Sequence, residues 1–142
     1  LGVARMAALQ NQYNLVFRRE YEQDLARVAA DLDLGVMPRF ALASGFLTGK
    51  YRTKADLVGS RRGEVARYLN RAGLRVLAAL DVVAAEHDAP VATIALAWLL
   101  SKPRVVAPVV SASSVDQVFD LVAATSVQLT RSNLTALDRA GS

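Results

Sequence analysis

Cysteine is absent from this 142-residue chain, histidine occurs once, and aromatic residues make up only 6%. Missing thiols exclude a disulfide framework and any thiolate metal site, and one histidine leaves no metal-ligand cluster. No apolar run approaches the ~18 residues that a membrane span needs, and no signal-peptide pattern opens the chain. A cytoplasmic protein without membrane association is therefore expected. A nucleoside-triphosphatase phosphate loop is also excluded. Only Phe46, Leu47 and Thr48 separate Gly45 from Gly49-Lys50, one residue too few, and Tyr51 stands where Ser or Thr is required.

What is present is apolar. Hydrophobic residues make up 53% and charged residues 21%, which fits one folded domain with a sizeable core and not a disordered chain. The chain opens at Leu1 without a methionine, as expected for a piece of a larger protein or for a non-standard start. Charge is uneven: Lys50, Arg52, Lys54, Arg61, Arg62, Arg67, Arg71 and Arg75 face only Asp56 and Glu64 across that stretch. The stretch lacks the interleaved aromatics and the motif of a nucleic-acid surface, so a solvated basic face near a small anionic ligand is the better reading.

Periodicity gives the order of elements. "ARMAALQ" reads as a strand ending near Gln10. A helix follows over Tyr21–Leu32 with Leu25, Val28, Ala29 and Leu32 on one face, stopped by Gly35. "GVMPRF" is a second strand, short and apolar as a strand buried on both faces should be. A polar stretch, Lys54 to Gly63, leads to a helix near Glu64 and a longer one over Leu74–Glu86, striped by Val76, Leu77, Leu80, Val83 and Ala84. Pro90 suits the first turn of the next helix, "VATIALAWLL", which is apolar all round and should be buried, Trp98 included. "VVAPVVS" is a third strand, "SVDQVFDLVAA" a helix, and "TRSNLTALDRAG" a last helix stopped by Gly141. His87, late on a helix between acids, reads as a surface residue. Alternating strands and helices imply an α/β fold of parallel strands with helical crossovers. Three such units form either a small open sheet or part of an eight-fold barrel.

In parallel α/β architectures, ligands sit at the carboxyl ends of strands. Three loops therefore matter: those after Gln10, after Phe40 and after Val110. In the third, "SASS" runs straight into a helix. Ser114 and Gln117 fit a capping box, and Ser111, Ser113 and the free amides could hold a phosphate.

Four pieces, "ALQNQYNL" (8–15), "VMPRFALASGFLTGKYR" (36–52), "ALAWLL" (95–100) and "APVVSASSVDQ" (107–117), together resemble the C-terminal part of the aldo-keto reductase family. They follow family order and cover nearly the whole chain. The resemblance implies one partial domain over residues 1–142, the strand 6–8 portion of a (β/α)8 TIM-type barrel, incomplete in this chain. It implies an NADP-linked (or NAD-linked) oxidoreductase of aldehydes and ketones. By position, Gln10 resembles the glutamine that holds the nicotinamide carboxamide. Phe40, Leu42, Ser44, Gly45 and Lys50 resemble the pyrophosphate wrap, and Ser111, Ala112, Ser113, Gln117 and Asp120 the adenosine-phosphate site. Arg39 stands where the family usually stacks a tyrosine on the nicotinamide, and Leu121 where an adenine-contacting Asn is frequent. No Lys or Arg fills the usual 2′-phosphate positions between Ser111 and Gln117. The family's catalytic Asp, Tyr, Lys and His lie on strands without a counterpart here, and His87 is wrongly placed to substitute.

The chain is therefore expected to be the cofactor-side portion of a carbonyl reductase, inactive alone. Completed by the missing barrel half, it would bind a dinucleotide and a small carbonyl substrate; alone, it should self-associate. The alternative is a non-enzymatic, truncated relic that keeps a nucleotide-shaped pocket or serves as an interaction module.

Overall fold

Two short parallel strands, β1 (Ala8–Leu9) and β2 (Gly35–Val36), pair Ala8 with Gly35 and Leu9 with Val36 in a computed structural model that describes residues 2, 4–59 and 62–142. Leu1, Val3, Ser60 and Arg61 lie outside the described residues, and with them parts of the expected first strand and of the polar, basic stretch. Beyond β1 the pairing continues: the Arg39 amide donates to Asn11 O at 2.8 Å, and Gln12 bridges Arg39 in parallel.

The third expected strand is reduced to one parallel bridge, Val36 to Val105. The Val36 amide donates to Arg104 O (2.7 Å) and the Val106 amide to Val36 O (2.9 Å). The next rung needs amide hydrogens from Pro38 and Pro108, which have none. Val109 supplies the donor instead, reaching Pro38 O at 2.7 Å. The ladder thus slips by one residue, and "VVAPVVS" runs beside β2 without forming a regular strand.

Helices form the crossovers. The first begins as a π-helical turn (Tyr21–Leu25) and continues as α1 (Ala26–Asp31). Its stop differs from expectation: Asp33, not Gly35, takes the left-handed position (φ 54°). Leu34 and Asp33 then donate to Ala29 O and Ala30 O, closing the helix end. Of the expected apolar stripe only Ala29 is fully buried, while Val28 and Leu32 are exposed, because no element among the described residues covers that side. After α2 (Arg62–Ala66), α3 (Arg71–Glu86) starts three residues earlier than expected, because the Asn70 side chain caps it by accepting from the Ala72 and Gly73 amides. Pro90 precedes α4 (Val91–Leu100) as its N-cap and is not inside its first turn.

The core lies where α3 and α6 (Arg131–Ala140) meet, with α4 against α3. The α3 stripe from Val76 to Ala84 and residues Thr93 to Leu99 of α4 are buried as periodicity predicts. Trp98 is wholly enclosed; its ring lies 5.5 Å from that of Tyr13, which in turn lies 4.5 Å from Tyr21. Burial pushes both tyrosines to raised pKa values, Tyr13 further because its hydroxyl donates to Glu22. Gly141 ends α6 at φ −88°, so close packing and not left-handed geometry requires glycine there: a Cβ would meet Leu15 O at 2.6 Å. His87 is not a free surface residue. Half-buried at the end of α3, it bonds Asn133 of α6 at 3.0 Å.

Candidate functional site

The carboxyl ends of β1 and β2 and the segment that runs beside β2 lie next to one another, joined by the rungs at Arg39 and Pro38. The loop after β2 is the most constrained piece of backbone among the described residues. Phe40, Ala43 and Ser44 adopt φ of 54°, 50° and 57°, and Gly45 and Gly49 adopt 96° and 80°. A non-glycine residue in this region costs of order 1 kcal/mol, and such residues cluster where the surroundings hold a functional conformation. Here the surroundings are visible. Asn14, fully buried, donates its side-chain amide to Phe40 O (2.8 Å) and accepts from the Val16 amide (3.0 Å). Leu42 O accepts from the Gly45 and Leu47 amides, and the Thr48 hydroxyl closes onto Gly45 O at 2.7 Å.

The far end of the loop is tied to α3. Arg52 forks onto Asp81 through two 2.7 Å bonds while its Nε donates to Gly49 O. The bonds to Asp81 hold the guanidinium above its usual pKa range. A Cβ on Gly49 would meet Arg52 Nη2 at 2.7 Å, so that glycine serves both its backbone angle and this clamp. Asp56 accepts from the Arg52 and Thr53 amides and from the Thr53 hydroxyl, which together hold its carboxyl below the usual range.

The expected contact residues divide into three groups. Gln10 is exposed just past β1. In the second loop, the Arg39 guanidinium lies 5.0 Å from the Phe40 ring centroid, both residues exposed. Leu42 and Ser44 are half-buried and Gly45 is buried. Lys50 is exposed, its ammonium 4.9 Å from the Tyr51 ring, and its side chain packs with that ring over Gly45, where a Cβ would meet Lys50 Cε at 3.7 Å. No carboxylate among the described residues pairs with Arg39 or Lys50. In the third loop, Ser111, Ala112, Ser113, Gln117 and Asp120 are all exposed. Ser114 caps α5 (Val115–Ala123) by accepting from the Gln117 amide, as expected, but the capping box is incomplete. The Gln117 side chain reaches one residue further back, accepting from the Ser113 amide (2.9 Å) and hydroxyl (3.0 Å). Those two donors are thereby occupied, leaving the Ser111 hydroxyl as the open one. Asp120 contributes its backbone carbonyl, which accepts from Thr93 of α4.

Sequence reading missed Asn14, Thr48 and the Arg52–Asp81 clamp. A polar residue in an otherwise buried "YNL" was the available signal for Asn14, since buried amides are normally bonded. The clamp spans 29 positions in sequence and leaves no local signature.

The model of the Aldo/keto reductase family matches residues 1–142. An aldo-keto reductase of Fusarium vanettenii is 28% identical over 90% of this chain and 35% of its own length. An uncharacterized oxidoreductase of Bacillus subtilis is 31% identical over 91% of this chain and 38% of its own length. A thermostable aldo-keto reductase solved with the inhibitor epalrestat shares the fold at a TM-score of 0.63 and 24% identity, over 92% of this chain and 38% of that one. The chain thus spans little more than a third of these relatives. With the family model matched along its full length and parallel strands joined by helices, the chain belongs to the aldo-keto reductase family.

Proposed function

We propose that this chain is the cofactor-binding portion of an NAD(P)H-dependent aldehyde or ketone reductase, contributing the sixth to eighth strand units of a TIM-type barrel. The observation that carries the reading is the loop after β2, where left-handed Phe40, Ala43, Ser44 and Gly45 lie at a strand's carboxyl end beside Arg39 and Lys50, which no carboxylate among the described residues pairs. Such a loop suits a dianionic pyrophosphate. Gly45 bends the backbone where a side chain would be strained, and Lys50, packed over it beside Tyr51, supplies charge at the exposed end of the loop. Gln10 would orient the carboxamide, and the Ser111 hydroxyl with the first amides of α5 would receive the adenosine side. Bound there, the dinucleotide would supply the hydride. This chain's residues would bind and orient it, while proton donation to the carbonyl falls to residues outside the chain. The site is proposed for NADP, with NAD as the alternative because no Lys or Arg lies between Ser111 and Gln117 to pair with a 2′-phosphate.

Arg39 provides the test. On the nicotinamide face, a guanidinium repels the cationic oxidised ring and tolerates the neutral reduced one, a difference of ~1 kcal/mol after solvent screening. In a protein completed with the remaining barrel of a relative, Arg39→Tyr should tighten binding of oxidised cofactor about fivefold and change reduced-cofactor binding less. Fluorescence titration of both forms measures this. Equal shifts, or none, would place Arg39 away from the ring and remove the proposed cofactor register.

A further inference from the structure

A cavity of about 320 Å3 opens between the segment after β1, the start of α3 and the end of α6. None of the residues assigned to the strand-end site lines it. Its floor is apolar, built from Leu15, Val16, Gly73 and Val76. Its rim carries Arg67, Tyr68 and Arg75, and no carboxylate side chain among the described residues lines it.

At the rim the Tyr68 oxygen is filled as an acceptor while donors stay open. The Tyr68 oxygen receives Gln12 Nε2 at 3.2 Å and Arg67 Nη2 at 2.6 Å. A phenol oxygen has two lone pairs; with both engaged, its own proton is left to bond something else. Arg67 stacks 4.6 Å from the Tyr68 ring centroid, and its remaining N–H groups have no partner among the described residues. Arg75 is already committed, donating to the main-chain oxygens of Ala140 (3.1 Å) and Ser142 (2.8 Å). Asn70 occupies the Ala72 and Gly73 amides, so those two groups at the helix end add no open donor. One hydroxyl and one guanidinium edge, side by side over an apolar floor, match the two oxygens of a carboxylate on a compact apolar body.

We propose that this cavity binds a small organic carboxylate with an aromatic or branched aliphatic body, at a site separate from the strand-end loops. The carboxylate accepts from the Tyr68 hydroxyl and the free edge of Arg67, and the body lies on Leu15, Val16 and Val76.

Ligand-observed saturation-transfer NMR with benzoate tests it, because that readout does not depend on the size or association of the chain. Benzoate should bind saturably, and neutral benzamide about tenfold more weakly. Tyr68→Phe keeps the ring and should weaken benzoate severalfold. Arg67→Met, at an exposed position, should weaken it about tenfold, and Arg67→Lys should recover part of the loss. Circular dichroism confirms that each variant folds, and the Arg67 pair carries the test should Tyr68→Phe fail to. Equal binding of benzamide, unchanged affinity in Arg67→Met, no saturable binding at all, or displacement of benzoate by NADPH would each overturn the assignment.

Discussion

Asp138 is the residue whose removal the structure prices most clearly. Its Oδ1 accepts from the indole nitrogen of Trp98 at 2.9 Å and from Lys102 Nζ at 2.7 Å, with Arg18 Nη2 at 3.5 Å. Trp98 is wholly buried, so Asp138→Ala leaves its N–H without an acceptor, a cost of about 1–3 kcal/mol. Losing the partly exposed pair with Lys102 adds ~0.5 kcal/mol, while alanine's better helix propensity returns about as much, so the indole term decides. Asp138→Asn retains an acceptor for the indole and should lose under about 1 kcal/mol. Burial alone would raise the Asp138 carboxyl, but the bonds from Lys102 and Trp98 and the charges of Lys102 and Arg18 together hold it below the usual range. A carboxyl with a depressed folded pKa stabilises the fold above its unfolded value near ~3.9, and that contribution is lost as pH falls through the lower folded value. Urea unfolding followed by the fluorescence of the single tryptophan measures both effects between pH 7 and pH 3. Asp138→Ala within about 0.5 kcal/mol of the parent at pH 7, or an Asp138→Asn variant with the parent's acid dependence, would refute the reasoning.

Three further outcomes are expected. Gly73→Ala should destabilise by roughly 1–2 kcal/mol despite alanine's helix preference, since its Cβ would overlap the Tyr68 carbonyl and meet Phe46 Cζ at 2.9 Å; urea midpoints check this. Gly45→Ala has room for its methyl, so only its φ of 96° is strained, and a loss of about 1–2 kcal/mol with weaker dinucleotide binding in a completed barrel should follow. The chain alone should self-associate at micromolar concentration and bind a hydrophobic dye, because Val115, Phe119 and Val122 of α5 are exposed; a clean monomer in sedimentation that binds no dye would contradict this.

Helices whose partners lie within the chain were legible in the sequence. The stripe from Val76 to Ala84 and the all-round apolar α4 predicted burial, and both found it, α3 against α6 and α4, and α4 against α3, α5 and the turn over Ala43–Thr48. Left-handed positions were not legible, because glycine marks only some of them. Gly45 and Gly49 announce turns, whereas Asp33, Phe40, Ala43 and Ser44 adopt the same region under constraint from distant groups such as Asn14. The third strand failed for a reason of register: Pro38 and Pro108 are harmless singly, and only their placement across one rung removes both amide donors. α5 shows the same limit from the other side. Valines 115, 118 and 122 and Phe119 recur at helical spacing as regularly as the α3 stripe, yet they are exposed. Periodicity therefore identifies which face of a helix is built for burial. What covers that face depends on topology: α3 meets α6 within this chain, and among the described residues α5 has no such partner for Phe119.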